Sequence, residues 1–211
     1  MQYDVDQIKG AVIAAAERLE EEKQKLNKLD AAIGDGDHGR SISRAFGGMV
    51  QELEEMETED VGELLRKVGK QIVFSSGAAA GPLYGTGIME AGKEVEGKKS
   101  IGLKDLARMF SAAEDGVKRR GGGKVGEKTM LDTIDPARKA MEEAAESGLE
   151  PSEAFKKVIS AARDGRDSTE EMISERGRSS RLGERTKGHI DPGAASSFMV
   201  IEAMLKSCIE E

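Results

Sequence analysis

Apolar residues recur along this chain at helical spacing, three or four apart, and the strict alternation of a half-buried strand does not recur. Val5, Ile8, Val12 and Leu19 mark a first helix running towards Asp30. Ile42, Phe46, Met49 and Leu53 mark a second. Val61, Leu64, Val68 and Ile72 mark a third, for which Asp60 is a suitable N-cap. A fourth begins near Leu83, and Leu103, Leu106, Phe110 and Ala113 carry a fifth. Met130, Ile134, Ala140, Met141 and Ala144 predict a sixth, starting near Thr129 and bent at Pro136. Ser152 is the expected cap of a seventh, with Phe155, Val158, Ile159 and Ala162 inside it and Met172 and Ile173 on its continuation. Asp191-Pro192 opens an eighth, Asp as cap and Pro at the first helical position, with Phe198, Ile201, Leu205 and Cys208 as its buried stripe. The expectation is an all-α fold, a bundle or barrel of about eight helices forming one domain over residues 1–211.

Composition sharpens this picture. Aromatics make up 3% of the 211 residues and tryptophan is absent, so the core rests on Ala, Val, Ile, Leu and Met, which suits packed helices. The net charge is -8, which repels the phosphate backbone of nucleic acid. A free nucleotide would be repelled too unless cations bridged the gap. One cysteine, Cys208, excludes an intrachain disulfide. The first residues lack the layout of a signal peptide, and no apolar run approaches the ~20 residues of a membrane span, so the expected location is the cytoplasm.

Four glycine-rich segments carry candidate chemistry. LDAAIGDGDHGRS places Asp30, Asp35 and Asp37 within eight residues. Three such carboxylates repel one another, and a hard divalent cation shared with phosphate oxygens resolves that repulsion. A calcium loop counted from Asp35 fails, because its sixth position is Arg40 and its twelfth is Phe46. SSGAAAGPLYGTG, residues 75–87, is a small-residue loop before a helix, able to cradle phosphate through backbone N–H groups, although it is no Walker loop. RGGGKVGEKTMLDTIDPA, residues 120–137, is a flexible basic stretch in which Met130 offers a soft face to a purine; the plainer reading is a surface loop with solvated Lys124 and Lys128. RGRSSRLGERTKGHIDPGAAS gathers Arg176, Arg178, Arg181 and Arg185 ahead of the helix capped by Asp191. Both histidines, His38 and His189, lie in these segments, and no nucleophile–base pair is evident.

Taken together, IGDGDHGRSI, GAAAGPLYGT, GEKTM and RGRSSRLGERTKGHIDPGA resemble, in order and at subunit length, the nucleotide-binding subunit of dihydroxyacetone kinase, the DhaL family. The resemblance implies a barrel of eight antiparallel helices with ADP or ATP at one end. It implies two Mg²⁺ ions on Asp30, Asp35 and Asp37, and nucleotide contacts from His38, Gly39, Arg40, Ser41, Ala79, Ala80, Gly121, Met130, Arg178, Asp191, Pro192 and Gly193. The acceptor sugar and the acid–base groups would sit on a separate sugar-binding subunit. A phosphotransferase-system protein serves as phosphoryl donor in some relatives, and a homodimer is a further possibility. Departures from the family pattern fall at Ser41, Ala78, Ala80 and Glu127, where the family has Asn, Gly, Ser and Asp. The alternatives are a kinase subunit for a four-carbon ketose and a non-catalytic, nucleotide-dependent regulatory module.

Overall fold

The computed structural model describes residues 1–76 and 80–209. Ten α-helices occur among them: α1 (Val5–Glu21), α2 (Lys23–Ile33), α3 (His38–Gly47), α4 (Val50–Glu55), α5 (Val61–Ser75), α6 (Ala80–Lys93), α7 (Leu103–Gly121), α8 (Leu131–Glu146), α9 (Pro151–Ser168) and α10 (Pro192–Ser207). Two-residue strands β1 (Tyr3–Asp4) and β2 (Ser100–Ile101) pair antiparallel, Tyr3 opposite Ile101.

Each predicted apolar stripe lies on a helix, but two of the stripes are shared between two helices. The first is cut at Glu22, whose N–H still reaches back to the Arg18 carbonyl while its backbone leaves the helical range. The second is cut at Gly48 and Met49. At neither break does the apolar period lapse, because Leu26 and Leu53 continue the buried face. Capping follows the sequence at Asp60, which accepts from the N–H groups of Gly62 and Glu63, and at Asp191, which accepts from Ala194. The seventh segment starts differently: Glu150 takes the N-cap position and Pro151 the first turn, so Ser152 is inside α9. That helix ends at Ser168, and a 3-10 turn at Thr169–Glu171 separates it from Met172 and Ile173.

The packing partners close a ring. Going round it, α1 touches α3, α3 touches α5, and α5 to α10 each touch the next, with α10 returning to α1. Eight helices form this barrel, while α2 lies against α3 and α10, and α4 against α1. Cross-helix contacts run antiparallel between ring neighbours, with Gly62 by Gly92 and Gly69 by Gly85 on α5 and α6, Ser111 by Glu142 and Glu114 by Arg138 on α7 and α8, and Arg163 by Glu202 and Arg166 by Phe198 on α9 and α10. The joint of α5 and α6 is tightened by glycine: a Cβ on Gly69 would lie 2.5 Å from the Gly85 carbonyl oxygen, and one on Gly85 would lie 2.4 Å from the Gly69 carbonyl oxygen. The two backbones touch there directly. Inside the ring, Val12, Leu19, Ile42, Phe46, Leu64, Ile72, Met141, Phe155 and Val158 are fully or almost fully buried, and a cavity of about 170 Å³ is lined by Tyr84, Leu106, Met109, Phe155, Ile201 and Leu205 among others. No helix among the described residues is long and apolar enough to cross a membrane.

Alternation along the ring has one consequence for function. The N-termini of α3, α6, α8 and α10 and the C-termini of α5, α7 and α9 gather at one end of the barrel, and the β1–β2 pair at the other. The four glycine-rich segments are the connections of that first end. Helix N-termini and C-termini alternate there, so the backbone N–H groups that can receive an anionic ligand are local to the starts of α3, α6, α8 and α10.

Candidate functional site

The site begins with Asp30, in the last turn of α2. Its Oδ2 accepts hydrogen bonds from the backbone N–H of Asp37 (2.9 Å) and of His38 (3.1 Å). Asp37 stands at the N-cap position of α3 but makes no capping bond with its own side chain. The cap of α3 therefore comes from the preceding helix, seven residues back, and it fixes Asp30 beside the N-terminus of α3. Close approach of α2 and α3 requires Gly39, where a Cβ would lie 2.0 Å from the Lys23 carbonyl oxygen. Oxygens of Asp30, Asp35 and Asp37 all fall within 4.8 Å of one another. Such a set of hard, clustered oxygens suits Mg²⁺, which shares its shell between carboxylates and phosphates.

One cation faces this cluster from afar in sequence. The Arg178 guanidinium forms an ion pair with Asp35, both partly exposed. Arg176, two residues earlier, turns instead to Glu127 (Nε to Oε2 2.8 Å). The arginine-rich segment thus ties the first motif to the third.

His38 leads into the barrel. Its Nε2 lies 2.8 Å from Ser196 Oγ, which lies 2.7 Å from the Tyr84 hydroxyl; that hydroxyl also approaches Ser197 Oγ at 2.8 Å. Burial lowers the His38 pKa and, more strongly than its hydroxyl partners oppose, raises that of Tyr84. This chain links α3, α6 and α10, and sets Ala80, one turn before Tyr84, at the same end as Gly193.

The third motif is exposed in its first half, through Lys124, Val125 and Gly126, and mostly buried from Glu127 onward. Asp132 accepts from the N–H of Gly126 (2.5 Å) and Thr129 (2.7 Å), and Glu127 from that of Lys124 (2.9 Å). Lys128 is 1% exposed; its ammonium donates to the carbonyl oxygens of Thr169 and His189. The plainer reading of Lys128 as a solvated surface residue is corrected by these two bonds, made 41 and 61 residues away. Thr169 Oγ1 in turn accepts from the Asp191 N–H at 3.0 Å. Met130 adjoins the final turn: a Cβ on Gly193 would stand 3.6 Å from the Met130 nitrogen. Asp191 is buried, and that burial raises its carboxyl pKa to about 7 against the opposing bond from Ala194.

Most of the predicted residues meet at this end. Asp30, Asp35, Asp37, His38 and Arg178 form one wall; Met130, Asp191, Pro192 and Gly193 form another; Gly121, at the end of α7, packs towards Leu83 of α6. Arg40 departs from them: its N–H bonds Asn27 Oδ1 (3.0 Å), and its side chain lines a surface groove with Glu20, Lys23, Ser43 and Arg44. The N–H of Ser41 is used inside α3, bonding the Asp37 carbonyl at 2.9 Å. Ala78 and Ala79 lie outside the described residues. Sequence reasoning did not single out Tyr84, Thr169, Ser196 or the buried role of Lys128.

Known proteins were compared with this arrangement. The DAK2 domain model matches residues 32–206. The chain is 36% identical over 191 residues to the ADP-binding subunit DhaL of PEP-dependent dihydroxyacetone kinase 2 of Listeria innocua, covering 90% of this chain and 88% of that one. It is 36% identical over 183 residues to the ADP-binding subunit DhaL of the PEP-dependent dihydroxyacetone kinase of Escherichia coli, covering 87% of each. The crystal structure of the dihydroxyacetone kinase from C. freundii in complex with AMP-PNP and Mg²⁺ superposes with a TM-score of 0.71 at 24% identity, over 95% of this chain. This chain spans 33% of that longer one, and the likeness is one of fold. Barrel, motif order and extent of identity agree: the chain belongs to the DAK2 domain family, among proteins similar to the DhaL subunits of dihydroxyacetone kinases.

Proposed function

We propose that this chain is the nucleotide-binding subunit of a dihydroxyacetone kinase, one domain that holds Mg-ADP or Mg-ATP and presents the terminal phosphoryl group to a small hydroxyketone on a partner subunit. The observation that carries the reading is the clustering of Asp30, Asp35 and Asp37 within 4.8 Å, at the barrel end where four helix N-termini converge. The relatives' names, ADP-binding subunits of PEP-dependent or PTS-dependent kinases, support the same reading.

In this account Asp30, Asp35 and Asp37 hold two Mg²⁺ ions. Bound there, the metal neutralises phosphate charge and stabilises the transferring group. The chain's own residues orient the ligand. Asp30 keeps the α2–α3 turn in place through its two N–H bonds, and Arg178, held beside Asp35, would meet a phosphate oxygen. His38, Gly39 and Ser41 of α3 and Ala80 of α6 would line the phosphate end, while Arg40 faces the groove it shares with Glu20 and Lys23 and Ala79 lies outside the described residues. Gly121, Met130 and the turn Asp191, Pro192, Gly193 line the nucleoside end. His38 is taken up in a bonded chain with Ser196 and Tyr84 that runs into the barrel, and acid–base work on the acceptor hydroxyl is assigned to the sugar-binding partner. Phosphoryl supply from a phosphotransferase-system protein, a cytoplasmic setting and a homodimer belong to the same proposal.

Reconstitution tests it. The isolated chain should not phosphorylate dihydroxyacetone, and adding a sugar-binding subunit with a phosphoryl donor should restore turnover. Rapid turnover by the isolated chain would contradict the division of labour.

A further inference from the structure

Lys128 makes an unusual set of bonds for a lysine. It is the one non-glycine among the described residues with a positive φ, 59°, in a region that L side chains rarely adopt. A lysine held there is strained, so the surroundings must enforce it. They do so from both sides: Asp132 clamps the N–H groups of Gly126 and Thr129, and the Glu127 carboxylate holds Lys124 and Arg176. The left-handed turn sends the side chain inward, where the ammonium meets the carbonyl oxygens of Thr169 and His189. Asp191, Glu170, Asp132 and Glu171 supply the negative field around it.

The two carbonyls belong to segments that otherwise touch at few points. Thr169 begins the 3-10 turn after α9, and its hydroxyl oxygen holds the Asp191 N–H. His189 stands two residues before Asp191, and the Gly188 N–H bonds the Glu170 carbonyl at 2.8 Å. Lys128 itself stands two residues before Met130. Its ammonium therefore ties the loop carrying Met130 to both the end of α9 and the segment leading into Asp191 to Gly193, which also bond each other directly. A neutral side chain would leave two buried carbonyl oxygens without their donor.

We propose that Lys128 is a positioning residue for the nucleoside half of the bound nucleotide: its ammonium sets the separation between Met130 and the Asp191–Gly193 turn. The inference rests on the proposed nucleotide site but assigns a role to a residue that touches neither metal nor phosphate. Lys128 itself bonds neither Asp30, Asp35, Asp37 nor Arg178, and only its neighbour Glu127 reaches that side through Arg176, so changing the Lys128 side chain should act on the nucleoside half alone.

Two ligands separate them. Pyrophosphate with Mg²⁺ engages the metal and phosphate end alone, whereas ADP with Mg²⁺ engages both ends. Titration calorimetry on the full chain would compare wild type with Lys128→Met and Lys128→Gly. The glycine variant relieves the backbone strain while removing the ammonium, which guards against a fold lost for lack of stability. Lys128→Arg, which keeps a buried cation, serves as the rescue. The expected result is a loss of about tenfold or more in ADP affinity for the Met and Gly variants, pyrophosphate affinity within about twofold of wild type, and partial recovery in Lys128→Arg. Parallel losses for both ligands, unchanged ADP affinity, or disappearance of the cooperative melt in both Met and Gly variants would overturn the inference and leave Lys128 a scaffold residue. Failure of the wild type to bind either ligand would instead overturn the proposed function, and this inference with it.

Discussion

Two acidic corners lie at the same end of the barrel and are built on opposite terms. In the corner of Asp30, Asp35 and Asp37, three carboxylates crowd together, Asp30 buried, Asp37 half-buried and Asp35 exposed, with Arg178 as their one ion-pair partner among the described residues. In the corner of Asp132 and Asp191, the carboxylates are buried, and backbone N–H groups and the Lys128 ammonium meet them and their neighbours. The first corner keeps negative charge in excess and close to solvent, which suits a cation brought in with phosphate. The second is satisfied from within and shapes the wall against which a ligand can rest. Sequence composition treats these aspartates alike; their partners separate them.

The largest effect that separates the corners should come from Asp30→Ala. It removes a metal ligand and the cap of α3 together, so Mg-ADP affinity should fall by about a thousandfold, ~4 kcal/mol, and thermal stability should also drop. Calorimetry and a melting curve check both. A loss of stability with intact Mg-ADP affinity would make this corner merely structural.

Next in size is the pH response of the second corner. The folded-state pKa of Asp191, about 7, lies above its unfolded value. The native protein then keeps a proton that the unfolded chain gives up above about pH 4. The stabilisation is full below that pH and is lost as pH rises through 7, by roughly 2–4 kcal/mol. Urea unfolding between pH 4 and 8 should show this decline in the wild type and a flatter profile in Asp191→Asn. Matching profiles would place the titration elsewhere.

Arg178→Ala should be milder and lopsided. An ion pair with both partners partly exposed contributes under about 1 kcal/mol, so the melt should barely move. Mg-ADP affinity should nonetheless fall several-fold, up to about tenfold, if the guanidinium meets phosphate. Equal, small effects on both readouts would confine Arg178 to a surface pair.

Smallest is Ala80→Ser, at the first residue of α6. A hydroxyl there adds a donor near a helix N-terminus, and binding should tighten by a factor of a few, at most about tenfold. Crowding by one atom is the opposing effect, since a Cβ on neighbouring Gly81 would already lie 2.0 Å from Ser76 Oγ. Unchanged titrations would show that the α6 N-terminus is remote from phosphate.

The sequence made the helices legible because each buries one stripe, and a stripe shows as a period of three to four. It hid the breaks at Glu22 and at Gly48–Met49, where the stripe runs on while the backbone does not. Asp60 and Asp191 were readable as caps because each bonds N–H groups two or three residues ahead. Asp30 was readable as a charge but not as the cap of α3, since that bond crosses a turn of seven residues. The sequence leaves Lys128 open between a ligand loop and a solvated surface, because a lysine in a glycine-rich loop usually is solvated; its burial depends on carbonyls far along the chain. The Tyr84–Ser196–His38 chain likewise joins three helices that local spacing does not relate.

Binding of ADP by the wild type and by Asp35→Asn, titrated with and without Mg²⁺, addresses the acidic corner most directly. Asp35 caps no helix, so its substitution leaves the α3 cap from Asp30 intact. The account predicts tight ADP binding by the wild type only when Mg²⁺ is present, and at least tenfold weaker binding by Asp35→Asn, about 1.4 kcal/mol or more, with the melt unchanged. Equal ADP affinity for both proteins, or wild-type affinity indifferent to Mg²⁺, would contradict it.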